Sequence, residues 1–292
     1  MSRMINNEMF LRELKSGKRY IPVSIDVQEN KIKWLDFGQY HFYEGFFHKS
    51  INLFSALKKD QVDYAVTDLD ILLDNRVTEG CLYPMGFIFH ASRSGSTLLT
   101  KVLARSTENH IISEAEPLNS IWQYFSESKL KDDEKRTIFK NLVLVLGRPS
   151  EIHENYIIKF TSFNILFLGF INDVFPDVPA LFISRDINEI LKSFDKKLPG
   201  WLQLENGALL RNIAGIEIDH PRAIVQRLLD EAAKYRPEIL MPVEYKTLNI
   251  ELLPTILDHF NLKVNEDQLS LMQNQFLFDS KVEFNQKKFN AT

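Results

Sequence analysis

The run Ser92-Arg93-Ser94-Gly95-Ser96-Thr97 is small, hydroxylated and carries a single cation. It lies between Gly86 to His90, an apolar stretch of strand length, and a segment in which Leu98, Leu99, Val102 and Leu103 recur at helical spacing. That is the pattern of strand, tight loop and helix. A loop opening a helix turns unpaired backbone N–H groups and the positive end of the helix dipole toward an anion. Gly95 lets the backbone approach closely and the hydroxyls add donors, so the expected ligand is a phosphate. The loop is not a Walker A motif, which needs Lys directly after its second glycine; here Ser96 follows Gly95, and the cation, Arg93, stands two residues before it. A Mg²⁺-linked nucleoside triphosphate site is correspondingly less well supported.

Other candidates for chemistry fall at predicted strand ends. His110-Ile111-Ile112-Ser113 runs into Glu114-Ala115-Glu116-Pro117, Tyr156-Ile157-Ile158-Lys159-Phe160 carries Lys159 near its end, and Ala180 to Ser184 closes on Arg185-Asp186. In an open α/β sheet, ligands sit at the carboxyl ends of the strands, so Glu114 and Glu116 share an edge with the loop around Gly95.

The elements that must position these residues alternate. After the Gly95 loop and its helix come the strand before Glu114, a charged run turning apolar over residues 128–151, and the strand holding Lys159. A helical pattern from Phe163 to Phe175 stops at Pro176, and a further strand leads into a helix from Ile187 to Phe194. Residues 201–236 read as helical with Leu209, Leu210, Ile213, Val225, Leu228 and Leu229 as core positions, followed by a strand over Leu240 to Tyr245 and a helix over Glu251 to Phe260. This predicts an α/β fold with a central parallel sheet flanked by helices. Residues 1–80 read as a helical and irregular lead-in packed on the core. Its aromatic segment, Trp34, Phe37, Tyr40, Phe42, Tyr43, Phe46 and Phe47, predicts a small satellite core, with an acceptor pocket as the sharper alternative. Asp68 to Asp74 reads as a solvated helix or turn. With no repeat, low-complexity tract or linker, one structural domain is expected.

The chain has 292 residues, 45% of them hydrophobic, enough for a large core. A net charge of −4 speaks against a general nucleic-acid or anionic-membrane binder. The longest nearly apolar stretch, Phe163 to Ile171, falls short of the ~20 residues of a membrane helix, and no secretory signal is visible at the N-terminus. With Cys81 alone, intrachain disulfides and cysteine-based metal sites are out of reach. A cytoplasmic enzyme is the expected class.

Phe89-His90-Ala91-Ser92-Arg93-Ser94-Gly95-Ser96-Thr97-Leu98-Leu99, followed about ninety residues later by Phe182-Ile183-Ser184-Arg185-Asp186, resembles the sulfotransferases that use 3′-phosphoadenosine 5′-phosphosulfate (PAPS). Their phosphosulfate loop reads like PRSGTT, and their 3′-phosphate motif pairs an Arg with a Ser eight positions on, here Arg185 and Ser193. The resemblance implies the P-loop-like sulfotransferase fold and covers about residues 84–284, with 81–292 as the PAPS-binding domain. In tyrosylprotein sulfotransferases the catalytic Glu stands nineteen residues after the loop glycine, which matches Glu114, and the catalytic Lys twenty-six before the 3′-phosphate Arg, which matches Lys159. A late V-x-Y-x-x-L is similar to Val243, Tyr245 and Leu248, with Tyr245 a cofactor contact, and Ser280-Lys281-Val282-Glu283 resembles the family's closing segment, placing Ser280 and Lys281 beside the cofactor. The front of the chain resembles a bacterial group with FHxSRxGSTLL loops. Two departures concern the adenine side: Ile187 stands where a Pro usually follows Arg-Asp, and the GxxGxWK region of cytosolic members is missing.

The resemblance implies that the N–H groups of Ser94 to Thr97, with the Ser96 and Thr97 hydroxyls, hold the 5′-phosphate. Arg93 and Lys159 neutralise charge developing on the moving group, Glu114 takes the acceptor proton, and Arg185 and Ser193 bind the 3′-phosphate; no metal is required. Glu116 and His90 stay open as alternative bases. Acidic residues at the site suit a neutral or cationic small-molecule acceptor. Natural-product tailoring fits the bacterial-type loop, with guanidinium alkaloids of the saxitoxin type as one candidate. An ATP-dependent small-molecule kinase would carry a Walker Lys, and a non-catalytic nucleotide-binding relative would have lost Glu114 or Lys159.

Overall fold

A computed structural model describes residues 2–59, 61–202 and 220–277. The N-terminal part holds β1 (Ser2–Met4), α1 (Asn7–Lys15), β2 (Tyr20–Asp26), β3 (Lys31–Asp36), α2 (Phe47–Leu57) and β4 (Tyr64–Asp68). The strands form a sheet in the order β1-β4-β3-β2, with β1 and β4 parallel and the other pairs antiparallel. This corrects the expectation of a helical and irregular lead-in. In β3, Ile32 and Trp34 are buried while Lys31 and Lys33 are partly exposed, a period-two pattern that charge obscures and that the buried Leu35 breaks at the end of the strand. Pro22 is tolerated in β2 because that strand lies at the sheet edge and its register shifts between Pro22 and Ser24. The expected solvated segment Asp68 to Asp74 is also different: a 3₁₀ turn over Leu69–Leu73 buries Leu69, Ile71 and Leu72 completely and leaves Asp70 outside.

The second sheet carries the α/β order. It comprises β5 (Gly86–His90), α3 (Ser96–Leu103), β6 (Asn109–Ser113), α4 (Pro117–Glu127), α5 (Asp132–Leu146), β7 (Asn155–Lys159), α6 (Leu168–Val174), β8 (Ala180–Ser184), α7 (Ile187–Lys196), α8 (Pro221–Ala232), β9 (Leu240–Glu244), α9 (Leu253–His259) and α10 (Glu266–Gln275). All pairings are parallel, in the order β6-β7-β5-β8-β9. Being covered on both faces, the inner strands are buried along nearly their whole length rather than alternating, with polar residues only at their ends. Their residues still divide by parity: Ile88, Ile111, Ile157, Leu181 and Ile183 pack with α3, α9 and α10, whereas Phe87, Phe89, Ile112, Ile158 and Phe182 face α4, α5, α6 and α8. This is the α/β, P-loop-like arrangement of a central parallel sheet flanked by helices. Leu209, Leu210 and Ile213, with Ser280 and Lys281, lie outside the described residues. No helix among the described residues is long and apolar enough to cross a membrane.

The two sheets share one apolar core. Trp34, Phe37, Phe42 and Phe47 join it rather than building a satellite. Polar ties add register: Arg19 donates to the carbonyls of Arg148, Gly38 and Tyr40, and Asn141 Nδ2 donates to the carbonyl of Leu72. Beside Arg19 lies a buried histidine trio. His41 Nδ1 is 2.8 Å from His153 Nε2, and His110 Nε2 donates to Leu146 O at 2.7 Å. Burial, reinforced by the Arg19 charge, pushes His41 down to about 4, His153 down to about 3, and His110 well below the ordinary imidazole range.

These rings are neutral in the fold, while the unfolded chain takes up protons below about pH 6.5. Their contribution to stability is therefore complete above that pH and is lost as pH falls from 6.5 toward 4. The expected slope approaches ~1.4 kcal/mol per pH unit for each ring. Urea unfolding at pH 7.5, 6.0 and 5.0 checks this, and a midpoint unchanged across the series would refute a neutral trio.

Candidate active site

In the order β6-β7-β5-β8-β9 the connection leaving β5 runs toward β6 on one side and that leaving β8 runs toward β9 on the other, so a crevice opens beyond the ends of β5 and β8. Past the end of β5 the loop 91–95 carries unusual backbone. Ser92, Arg93 and Gly95 have φ of 68°, 49° and 86°, and Glu114, beyond β6, has φ 53°. Three non-glycine residues in the left-handed region at one sheet edge are costly, on the order of 1–3 kcal/mol each, and such strain concentrates at functional sites. Gly95 is the N-cap of α3 and needs its positive φ; a Cβ there would also come within 2.8 Å of the Tyr245 ring. In the first turn of α3 the Leu98 N–H donates to the Gly95 carbonyl, whereas the N–H groups of Ser96 and Thr97 have no acceptor within their own helix and can meet an anion.

Lys159 closes β7 and is fully buried. Its Nζ lies 2.8 Å from Glu114 Oε1, 3.4 Å from Thr97 Oγ1 and 3.3 Å from the carbonyl of Gly45. The Glu114 N–H donates to the carbonyl of Lys159 at 2.7 Å, so backbone and side chains of the two residues are doubly joined. Burial pushes the Glu114 carboxyl upward, but Lys159 and His90 outweigh it and hold it down at about 2.

His90, the last residue of β5, has Nδ1 accepting from the Ser92 N–H at 3.1 Å and standing 3.1 Å from Ser162 Oγ. The proton therefore sits on Nε2, which faces Glu114 Oε1 at 3.4 Å, outside hydrogen-bonding geometry. Burial lowers this imidazole's pKa, leaving it neutral. In this arrangement His90 props the strained Ser92 and stands beside the carboxylate. Glu116 is engaged elsewhere: it accepts from the Ile25 N–H of β2 at 3.1 Å and from the Ser120 hydroxyl, tying the N-terminal sheet to α4.

On the other side of β5, Arg185 follows β8. Its Nη1 donates to the Arg93 carbonyl at 3.0 Å, its Nε donates to Glu189 Oε2 at 2.9 Å, and its guanidinium lies 4.4 Å from the centroid of the Tyr245 ring. Ser193 is half-buried on α7, two turns further along. Arg93 turns its Nη2 onto the Lys197 carbonyl at 2.7 Å, linking the loop to the end of α7. Ser96 is buried at the first position of α3 and Thr97 follows it.

Arg93, Ser94, Gly95, Ser96, Thr97, Glu114, Lys159, Arg185 and Tyr245 thus gather at one sheet edge, from all five strand ends. Among the described residues ten buried polar side-chain atoms lack a hydrogen-bond partner, and five of them lie there: His90 Nε2, Arg93 Nε, Ser94 Oγ, Ser113 Oγ and Thr161 Oγ1. Such orphans are rare in folded proteins, and their clustering marks a place built to bind polar groups. Gly45 and Phe46 belong to the site as well: Phe46 lies in the aromatic segment read as a satellite core or an acceptor pocket, and the signal for Gly45 is only that of a glycine set inside the aromatic run Tyr43-Glu44-Gly45-Phe46-Phe47.

Replacing Lys159 with Met strands a buried carboxylate, with an expected cost of ~3 kcal/mol at pH 7. In the parent, the depressed Glu114 value contributes stability above the unfolded carboxylate range and loses it only as pH falls toward 2. In the variant burial dominates, Glu114 takes a proton more readily than in the unfolded chain, and the deficit shrinks between pH 7 and 5. Urea titrations of both proteins at the two pH values measure this; a deficit of constant size would contradict the pairing.

No family model matches the chain, and no curated protein sequence matches it. Two solved structures are similar to it in outline. Sulfotransferase STF1 from Mycobacterium tuberculosis H37Rv shares 13% identity over 81% of this chain and 84% of its own, with a TM-score of 0.42. A sulfotransferase from Alicyclobacillus acidocaldarius shares 11% identity over 70% of this chain and 88% of its own, with a TM-score of 0.39. At these values the likeness decides nothing about chemistry.

Proposed function

We propose that the chain is a sulfotransferase that moves a sulfuryl group from PAPS to a hydroxyl or amine of a small molecule, releasing 3′,5′-ADP. The observation that carries this reading is the buried Lys159–Glu114 pair at the end of an anion-binding loop that has no Walker lysine. A kinase of related fold would need a different cation on the loop. Here the strongest cation stands opposite the loop and is already paired with a carboxylate able to receive a proton.

The donor supplies an activated sulfuryl group. The α3 N–H groups and the hydroxyls of Ser94, Ser96 and Thr97 bind its 5′-phosphate end; the orphaned Ser94 Oγ and Arg93 Nε, and the space left by Gly95, suit that task. Arg185, with Ser193 along α7, takes the 3′-phosphate, since a guanidinium fork matches phosphate geometry. The Tyr245 ring supports that guanidinium. At the reacting end, the acceptor oxygen or nitrogen forms a bond to sulfur while the bond from sulfur to the bridging oxygen breaks. Glu114 receives the acceptor proton, and Lys159 stabilises the negative charge on the departing oxygen. A carboxyl held at about 2 is a weak base, so the two roles are linked. As Lys159 turns to the leaving group, Glu114 loses its partner and gains basicity. Positioned proton transfer of this kind contributes ~10²–10⁴-fold. A neutral or cationic acceptor is proposed to meet Glu114, guanidinium alkaloids of the saxitoxin type among the candidates.

Transfer of ³⁵S from labelled PAPS across alcohols, amines, phenols and guanidinium alkaloids tests the reaction. Glu114→Gln is expected to lower kcat about a thousandfold with little change in donor KM, whereas Glu116→Gln retains turnover. Calorimetry with 3′,5′-ADP and 5′-AMP tests the donor: the 3′-phosphate is expected to strengthen binding by at least tenfold, an advantage absent in Arg185→Ala. Equal affinity of the parent for the two nucleotides would sink the PAPS reading.

A further inference from the structure

We infer that Gly45 and Phe46, from the N-terminal part of the chain, are positioning residues for Lys159, so that this part completes the active site rather than merely bracing it. The inference rests on the sulfotransferase reading for its consequence in turnover, and on contacts alone for the placement.

An ammonium has three N–H donors. For Lys159, two are directed at groups of the parallel-sheet part, Glu114 Oε1 and Thr97 Oγ1, and the third at the carbonyl of Gly45 at 3.3 Å. The Phe46 ring covers the charge, with Nζ 4.6 Å from its centroid, within the range of a cation–π contact. Both residues stand just ahead of α2, where Phe46 is the extended N-cap.

Two observations separate this from incidental packing. First, Gly45 is buried and sits against Thr97 so closely that a Cβ would collide with its Cγ2. Its carbonyl reaches Lys159 because residue 45 has no side chain. Second, Phe37, Phe42, Phe47 and Phe54 all join the main apolar core, and Phe46 packs against neither core. A half-buried phenylalanine outside the core, with its ring on a buried cation, is placed for that cation.

The chemical consequence follows from what each partner can do. Glu114 changes charge during the reaction and Thr97 belongs to the loop that receives the donor. The Gly45 carbonyl and the Phe46 ring neither titrate nor move a proton. They are constant partners that keep Nζ between the carboxylate and the donor while Lys159 shifts its pairing. Without them, the ammonium is held by Glu114 and Thr97 alone.

Phe46→Leu, which keeps an apolar side chain and disturbs neither core, is the test, with Phe46→Trp as rescue. Two measurements are made on the full chain. In the ligand-free protein, acetylation of Lys159 by acetic anhydride, followed by mass spectrometry, is expected to rise about tenfold in Phe46→Leu and to return to the parent level in Phe46→Trp. In turnover with PAPS, Phe46→Leu is expected to lower kcat about tenfold with donor KM within about twofold, and Phe46→Trp to restore it. Gly45→Ala, through Thr97, is expected to raise the labelling of Lys159 in the same way. Unchanged labelling in Phe46→Leu and Gly45→Ala overturns the placement, as does a change that Phe46→Trp leaves in force. Altered and rescued labelling in a protein whose parent transfers nothing from PAPS upholds the placement and defeats the proposed reaction, so the two failures are distinct.

Discussion

A lysine ammonium with no exposed surface is tolerable only where its lost hydration is replaced, and the site is shaped by that requirement. Lys159 meets it with a carboxylate, a hydroxyl, a carbonyl and a ring, from three different segments of chain. Leaving such a charge unpaired costs several kcal/mol, so these three segments and that of Lys159 are held to one arrangement. Glu114 must stay ionised beside it, and does so although burial alone would favour its neutral form.

Strain at the same edge has its source in the same arrangement. Ser92, Arg93 and Glu114 adopt left-handed backbone that these residue types avoid, and each is fastened by a neighbour. The Ser92 N–H is held by His90, the Arg93 carbonyl by Arg185, and the Glu114 N–H by the carbonyl of Lys159. The fastening groups come from β5, β8 and β7. A parallel sheet with a rigid apolar interior thus supplies the stiffness that keeps a polar, strained edge in order.

The N-terminal sheet has two attachments to this edge of different character. One is structural: the Glu116 carboxylate accepts from β2, and the aromatic side chains of the lead-in share the main core. The other reaches Lys159 through Gly45 and Phe46. A region that composition alone would assign to support contributes groups to the centre.

Local physics made much of this legible in the sequence. Apolar runs of strand length alternating with helical periodicity fixed the parallel α/β order, and the glycine and hydroxyls before α3 marked an anion site, because both depend on residues near one another in the chain. The sheet of residues 2–68 was hidden by interspersed lysines and by Pro22, whose tolerance depends on an edge position that is visible only once strands pair. Glu114 was put ahead of Glu116 through a family resemblance alone, and what each carboxylate touches was beyond the sequence. Two residues apart, they separate because one turns back to Lys159 and the other toward Ile25, partners 45 and 91 positions away. Which side chains could meet an anion was written in residue type and spacing. Which of them actually share a buried charge was decided by tertiary structure, because desolvation and pairing act through space and take no account of distance along the chain.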